Sequence, residues 1–263
     1  MSIHPSSVIS KEVELGANVV IGPFCYIKGR VTIGDGSVLQ SHVSVGNEWG
    51  KVVLGKNNRL EAGAAVGGPP QDLSYKGEPT QLVIGDNNTI REFVTINCGT
   101  SKGEGVTRIG SHCMIMAYSH IAHDCQIGDH VVIANVNQLA GHVVFEDHVK
   151  TGGMCGFNQF IRIGKHAFIG GDSAVNKDVL PYVIASGKMA VMRAPNSIGL
   201  ERAGYAKEDI EAVKRAVRIV TKGGGTVDEA LARIAIECGQ SPVLQYFVDF
   251  IKSSVAGPRG IAI

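Results

Sequence analysis

An aliphatic residue recurs at every sixth position along most of this 263-residue chain. Ile3, Ile9, Leu15, Ile21, Ile27, Ile33, Leu39 and Val45 hold the register, three residues are inserted, and Leu54, Leu60 and Val66 resume it. Residues 67–83 hold no clear register, and Ile84, Ile90 and Ile96 return in phase with Leu54. A longer insertion, Asn97 to Arg108, shifts the frame by one; twelve units from Ile109 to Val175 then run without a gap, with only Thr151 breaking the aliphatic rule. A fixed short period of this kind marks a solenoid, in which each unit buries its apolar side only by stacking on its neighbours.

The remaining composition falls into the same frame. Glycine accounts for 34 residues, about twice the usual ~7% share. With the aliphatic residue as position one, glycine is frequent at position two (Gly16, Gly22, Gly34, Gly55, Gly85, Gly110, Gly128, Gly164, Gly170). That placement predicts that the chain turns its corner there. Position three is often aspartate, as in Asp35, Asp86, Asp129 and Asp147, which suits a tight turn. Position five is small or β-branched and includes Cys25, Cys113, Cys125 and Cys155, which read as small core fillers. Each unit is a short strand followed by a corner.

Whole-chain properties exclude several classes. An apolar content of 44% excludes a disordered chain, and the lack of a three-residue glycine period excludes collagen. A net charge of +1 argues against non-specific nucleic-acid binding. Met1 to Glu14 lacks a basic-then-apolar signal pattern, and no run approaches the ~18 apolar residues of a membrane span. The six cysteines form no CxxC pair. The simplest expectation is a cytoplasmic protein with reduced thiols and no stable membrane insertion.

The six-residue pattern resembles the hexapeptide-repeat family, whose chains wind into a left-handed parallel β-helix of three hexapeptides per coil. The hand comes from the resemblance, since the period alone does not set it and the usual crossover rule favours the opposite. After Val183 the repeat stops, and Pro181, Gly187 and Pro195 read as a linker. Helical spacing follows over Ala206–Lys222, ended by Gly223-Gly224-Gly225. A second helix over Thr226–Cys238 starts on a capping box of Thr226 and Glu229, and a third covers Pro242–Ser253. The expected architecture is mainly β: a left-handed parallel β-helix over residues 1–187, then a small C-terminal α-helical domain over 188–263. Flat β-helix faces buried between copies are typical of such chains and imply a homotrimer.

A repeat makes its exceptions visible. In His120-Ile121-Ala122-His123-Asp124-Cys125, His123 and Asp124 fall at positions three and four, where side chains are expected to project outward. One coil later lie Gly141 and His142, and one further lies Gln159, preceded by Asn158. Histidine suits proton transfer near neutral pH, and a neighbouring carboxylate can orient it and stabilise its charged form. Adjacency in sequence does not by itself make a His123–Asp124 hydrogen bond, because successive strand side chains point apart.

These residues sit in longer motifs. HIAHDC, LAGHV (139–143), GGM with QF (152–154, 159–160), DVLPYVIASG (178–187), PQDL with Tyr75 and GEP (70–79) and NSIGLERAGY (196–205) resemble the UDP-N-acetylglucosamine O-acyltransferases, which open lipid A synthesis. The resemblance spans essentially the whole chain. It implies transfer of an (R)-3-hydroxyacyl group from acyl carrier protein to the 3-hydroxyl of a UDP-sugar, with no cofactor and no metal. His123 is then the general base, Asp124 its orienting partner, and the Gly141 amide the oxyanion donor. Asp72, His120, His142, Asn158 and Gln159 would meet the sugar, and Asn196 and Arg202 the nucleotide and phosphates. Gly171 would set acyl length, its missing side chain admitting about C14 rather than C10. In this family the site lies between neighbouring subunits. Lys214, Arg218 and Lys222, four residues apart on one helix, would dock the acidic carrier protein.

Four positions depart from the family pattern: Asn158 replaces a histidine, Ser74 a lysine, Ala203 an arginine and Ile198 a glutamate. All four lie on the sugar-nucleotide side, which leaves a 3-amino sugar, giving an amide, as an alternative acceptor. The paralogous N-acyltransferase normally carries a domain before its repeats, whereas here the repeat begins at Ile3. A γ-class carbonic anhydrase uses a His-x4-His pair that this sequence lacks. A non-catalytic scaffold would have no need of the His123, Asp124 and His142 cluster.

Overall fold

The computed structural model describes residues 1–262. Strands eighteen residues apart pair in parallel, so Ile3 lies on Ile21, Ile121 on Leu139 and Phe157 on Val175. Among the described residues, three sheets of eleven, nine and eight strands form the faces of a left-handed β-helix, the eleventh strand of the first being an antiparallel addition at its end. The first face carries Ile115 and Ile133, the second Ile121 and Leu139, and the third Ile109 and Ile127. Inward side chains such as Ile21, Ile27, Ile33, Leu39, Leu60 and Ile90 are fully buried. Each contributes on the order of 1.5–3 kcal/mol by leaving water.

The corner is built differently from the sequence expectation. The left-handed backbone lies at position four, with φ of 58° at Asn18, 60° at Asp124 and 62° at His142. The position-two glycines are needed for closeness instead. A Cβ on Gly34 would come within 2.5 Å of the Gly55 carbonyl oxygen on the next coil. The position-three aspartates reach back across coils: Asp35 accepts the Ala17 amide at 2.8 Å, and Asp129 the Ser111 amide at 2.6 Å. They staple coil to coil as well as turning the chain.

All six cysteines are free and buried. Burial pushes the Cys98 and Cys125 thiols up to about 12, which leaves both un-ionised at neutral pH. The core-filling expectation stands.

The expected linker is structured. Val183–Ser186 stacks in parallel on Phe168–Ile169 as a further rung and then forms an antiparallel hairpin with Val191–Pro195. The rung forms because Tyr182, Val183 and Ala185 have apolar surface that only the end of the helical core can bury. Helix α1 (Ser197–Arg202), too short to show a period, precedes α2 (Lys207–Lys222), α3 (Val227–Glu237) and α4 (Pro242–Ala256). Both halves of the Thr226/Glu229 capping box are made. The helices are tied to the last coil through Asp178, whose carboxylate accepts the Ser254 hydroxyl at 2.7 Å and whose amide donates to Gly260 at 2.8 Å.

Candidate active site

The corner between the second and third faces gathers the chemistry. His123 and Asp124 are only 7% and 5% exposed, against the expectation that corner side chains project into solvent. The cause is the insertion between Asn97 and Arg108, whose loop folds back over this corner. His123 Nδ1 lies 2.9 Å from Asp124 Oδ2. The left-handed backbone at Asp124 swings its side chain towards the preceding histidine, which an ideal strand would not allow.

The buried carboxylate is well served. Thr100 donates its amide to Asp124 at 3.1 Å and its hydroxyl at 2.6 Å. Burial alone would raise the Asp124 carboxyl; the hydrogen bonds from His123 and Thr100 outweigh it and hold it below its ordinary value. An ionised Asp124 only accepts, so Nδ1 of His123 is the donor in this bond, and in the neutral imidazole Nε2 is then the nitrogen with the lone pair. His142 Nε2 stands 3.7 Å from Asp124 Oδ2. Its ring meets His123 edge-on at 5.2 Å and stacks on Phe160 at 4.5 Å. Burial lowers His142, as it does His120, whose Nδ1 pairs with the Thr95 hydroxyl at 2.7 Å.

Gly141 sits directly on His123. A Cβ there would fall 2.7 Å from the His123 Nε2 and closer still to Cε1. Among the described residues the Gly141 amide meets no acceptor, while the position-three amides of Ala17 and Ser111 are taken by aspartates. His120, His123, Gln138, Gly141, Asn158 and Gln159 line one open concavity of about 440 Å³. Gln71 joins its rim, and the neighbouring Asp72 is held down to about 2, first by the Ser74 amide and hydroxyl. Lys102 from the insertion loop reaches Asp72 at 3.3 Å.

His123, Asp124 and His142 present ligand-type atoms within 4.8 Å of one another. Asp124 already accepts from Thr100 and His123, so the trio is built as a hydrogen-bonded pair with a flanking imidazole. The larger hollow, about 640 Å³ beside Ile234, Leu244 and Val248, brings no histidine or carboxylate together.

Other expected site residues lie elsewhere. Asn196 caps α1 and donates to the His166 carbonyl at 2.9 Å; neither it nor Arg202 lines the His123 concavity within one chain. Gly171 stands on the corner between the first and second faces, where a Cβ would approach the Gly153 oxygen at 3.3 Å. Arg218 and Lys222 share a surface depression with Arg215 and Arg233, while Lys214 pairs with Glu211 at 2.7 Å outside it. Sequence reasoning missed Thr95 and Phe160 as site residues because neither breaks the six-residue rule, and Thr100 because it lies in an insertion that has no register to read. It also missed a ladder on the third corner, where the rings of His112, His130, His148 and His166 stack at 4.8, 4.8 and 4.5 Å. Their recurrence at position four every eighteen residues was the available signal.

Residues 178–262 match the family described as Udp N-acetylglucosamine O-acyltransferase, Domain 2, and residues 12–47 and 107–135 match the bacterial transferase hexapeptide repeats. The chain is 46% identical over 208 residues to the acyl-[acyl-carrier-protein]--UDP-N-acetylglucosamine O-acyltransferase of Anaeromyxobacter sp. (strain Fw109-5), covering 79% of this chain and 81% of the relative. It is similar to the crystal structure of the UDP-N-acetylglucosamine O-acyltransferase of Moraxella catarrhalis, with a TM-score of 0.91, 39% identity and full coverage (100%) of both chains. The UDP-N-acetylglucosamine acyltransferase of Francisella novicida also gives a TM-score of 0.91, at 39% identity, covering 98% of this chain and 93% of that one. No helix among the described residues is long and apolar enough to cross a membrane.

Proposed function

The chain belongs to the UDP-N-acetylglucosamine O-acyltransferase family, and from that premise we propose that it moves an (R)-3-hydroxyacyl group from acyl carrier protein to the 3-hydroxyl of UDP-N-acetylglucosamine, opening lipid A assembly in the cytoplasm. The observation that carries this reading is the buried His123–Asp124 pair, with His123 lining the open concavity beside Gly141, whose amide is uncommitted among the described residues.

His123 Nε2 takes the proton of the sugar hydroxyl as its oxygen attacks the thioester carbonyl. Asp124 holds the imidazolium that results. The tetrahedral oxyanion accepts the Gly141 N–H, a type of contact worth about 2.7–4 kcal/mol in transition-state stabilisation. Collapse breaks the C–S bond, and His123 returns the proton to the departing thiolate. His120, His142, Gln159 and Asp72 bind and orient the sugar, and Asn158 lines the same wall.

Asn196 and Arg202 stand away from this concavity within one chain, so a neighbouring copy must bring them to it. The exposed column of Phe93, Tyr118, Val136 and Met154 on the corner below Gly171 supplies apolar surface for such a contact and for the acyl chain. We read the working unit as a homotrimer with Gly171 limiting acyl length. Ile198, exposed on α1, and Ala203 at its C-cap bring no charge to the nucleotide side, which keeps the 3-amino sugar as the second acceptor.

The test offers the purified protein UDP-N-acetylglucosamine or its 3-amino analogue with hydroxyacyl carrier proteins of graded length. Ester formation on the first sugar is expected. Product only from the amino sugar selects the second reading, and no product from either rejects both.

A further inference from the structure

The insertion between Asn97 and Arg108 interrupts the repeat; its far end, Val106–Arg108, rejoins the third face in parallel with Gln81–Val83, and residues 98–105 form a loop before it. The loop folds around one residue, since the Thr100 carbonyl accepts the amides of both Gly103 and Gly105, at 3.2 and 3.1 Å. Thr100 is 3% exposed, and its remaining polar atoms all point at Asp124. The amide spans both carboxylate oxygens at 3.1 Å, and the hydroxyl donates to Oδ2 at 2.6 Å, the same oxygen that receives His123 Nδ1.

A second threonine at the far end of the insertion holds the backbone. The Asp124 amide donates to Thr107 Oγ1 at 2.8 Å, and Thr107 is wholly buried. The loop is pressed against the pair without slack: a Cβ on Gly103 would lie 2.6 Å from Asp124 Cγ and 3.0 Å from His142 Cε1. Lys102 fastens the same loop to Asp72 at 3.3 Å.

A carboxylate taken out of water must be met by donors, and charge-assisted ones are both short and directional. Without the Thr100 hydroxyl, His123 would be the only side chain hydrogen-bonded to the Asp124 carboxylate, which would be less firmly held on the left-handed corner. We propose that Thr100 is a positioning residue that acts through Asp124, its amide and hydroxyl fixing the carboxylate so that Nδ1–H of His123 is held and Nε2 is aimed at the acceptor hydroxyl. The insertion is thus a strap that converts an exposed corner into a closed proton-transfer pair. This rests on His123 being the general base.

Thr100→Val keeps the shape and the amide and removes the hydroxyl; Thr100→Ser keeps the hydroxyl. Thr100→Val is expected to lower kcat on the order of tenfold to a hundredfold. KM for UDP-N-acetylglucosamine should stay within about twofold, the split expected of an interaction made in the transition state. Thr100→Ser should recover most of kcat. In substrate-free protein the downfield His123 Nδ1–H proton resonance should move in Thr100→Val and return in Thr100→Ser. Should valine unfold the loop, Thr100→Ala, which places no bulk there, takes its place in both measurements. Wild-type kcat with an unmoved resonance overturns the proposal, as does a serine variant as impaired as valine. If the wild-type protein transfers no acyl group, the functional reading fails, but the resonance comparison still decides whether Thr100 holds the pair.

Discussion

Gly141 lies so close over His123 that a single added methyl group on it would stand 2.4 Å from the imidazole Cε1. No real Cβ contact is that short, so any side chain at position 141 must move the ring. Gly141→Ala is therefore expected to lower kcat on the order of a hundredfold, the cost of displacing a reacting group by about an ångström. The rest of the coil should survive, because Leu139 and Val143 on either side stay buried. Turnover set against the circular dichroism spectrum checks this, and near-normal turnover in a folded variant would show that the imidazole does not need its present place.

His123→Ala removes the base outright. Turnover should fall by roughly 10²–10⁴, the range that general acid–base catalysis usually supplies. Substrate binding should persist through His120, Gln138 and Gln159, which line the same wall. Single-turnover kinetics with UDP-N-acetylglucosamine reads the chemical step directly; a variant with ordinary turnover would remove His123 from that role.

Gly171 has room that its neighbours lack. A Cβ there makes only a tight contact with the Gly153 oxygen, at 3.3 Å, and further atoms would extend along the corner. Gly171→Met should shorten the preferred acyl chain, since each excluded methylene is worth about 1–3 kcal/mol of discrimination. Rates with carrier proteins bearing graded acyl chains test it, and an unchanged length profile would free Gly171 of any measuring role.

Carrier docking should depend unequally on the basic helix. Arg218 and Lys222 face the depression shared with Arg215 and Arg233, whereas Lys214 is occupied by Glu211. Charge removal at Arg218 and Lys222 together should raise KM for acyl carrier protein about tenfold, and more so at low salt. Lys214→Ala should do little. Equal effects at all three positions, or none, would place the carrier elsewhere.

His166, at the end of the histidine ladder, gives the fold an acid response. His166 is depressed to about 4, first by burial and next by the neighbouring His148, Lys165 and Lys150. The unfolded chain takes up this proton below about 6.5, the folded chain only near 4. The unfolded state therefore binds more protons between those limits; stability is full above about 6.5 and is lost as pH falls towards 4. His166→Phe removes the titrating group and keeps an aromatic ring at a backbone position that Phe24, Phe93 and Phe160 already occupy with positive φ. Its melting temperature should fall less than the wild type's between pH 7 and pH 5. Parallel slopes would show that another group dominates.

The six-residue period determined the coil, its inward aliphatic column and the cysteines in it, because the same short contact is repeated at every rung and each unit's chemistry states its own position. The helix ends were also legible, since caps such as Thr226 with Glu229 act within four residues. The column of His123, Gly141 and Gln159 could be written down from the eighteen-residue spacing alone. Only the tertiary structure decided that the His123–Asp124 corner is closed. That outcome depends on an insertion with no period of its own, whose Thr100 reaches Asp124 across 24 residues of sequence. The reason for the glycines was likewise hidden: a local reading places them at the turn, whereas the restriction comes from the backbone of the next coil, as at Gly34 against Gly55. Interactions within a rung are written in neighbouring residues; those between a loop and a rung, or between two rungs, exist only once the chain has wound.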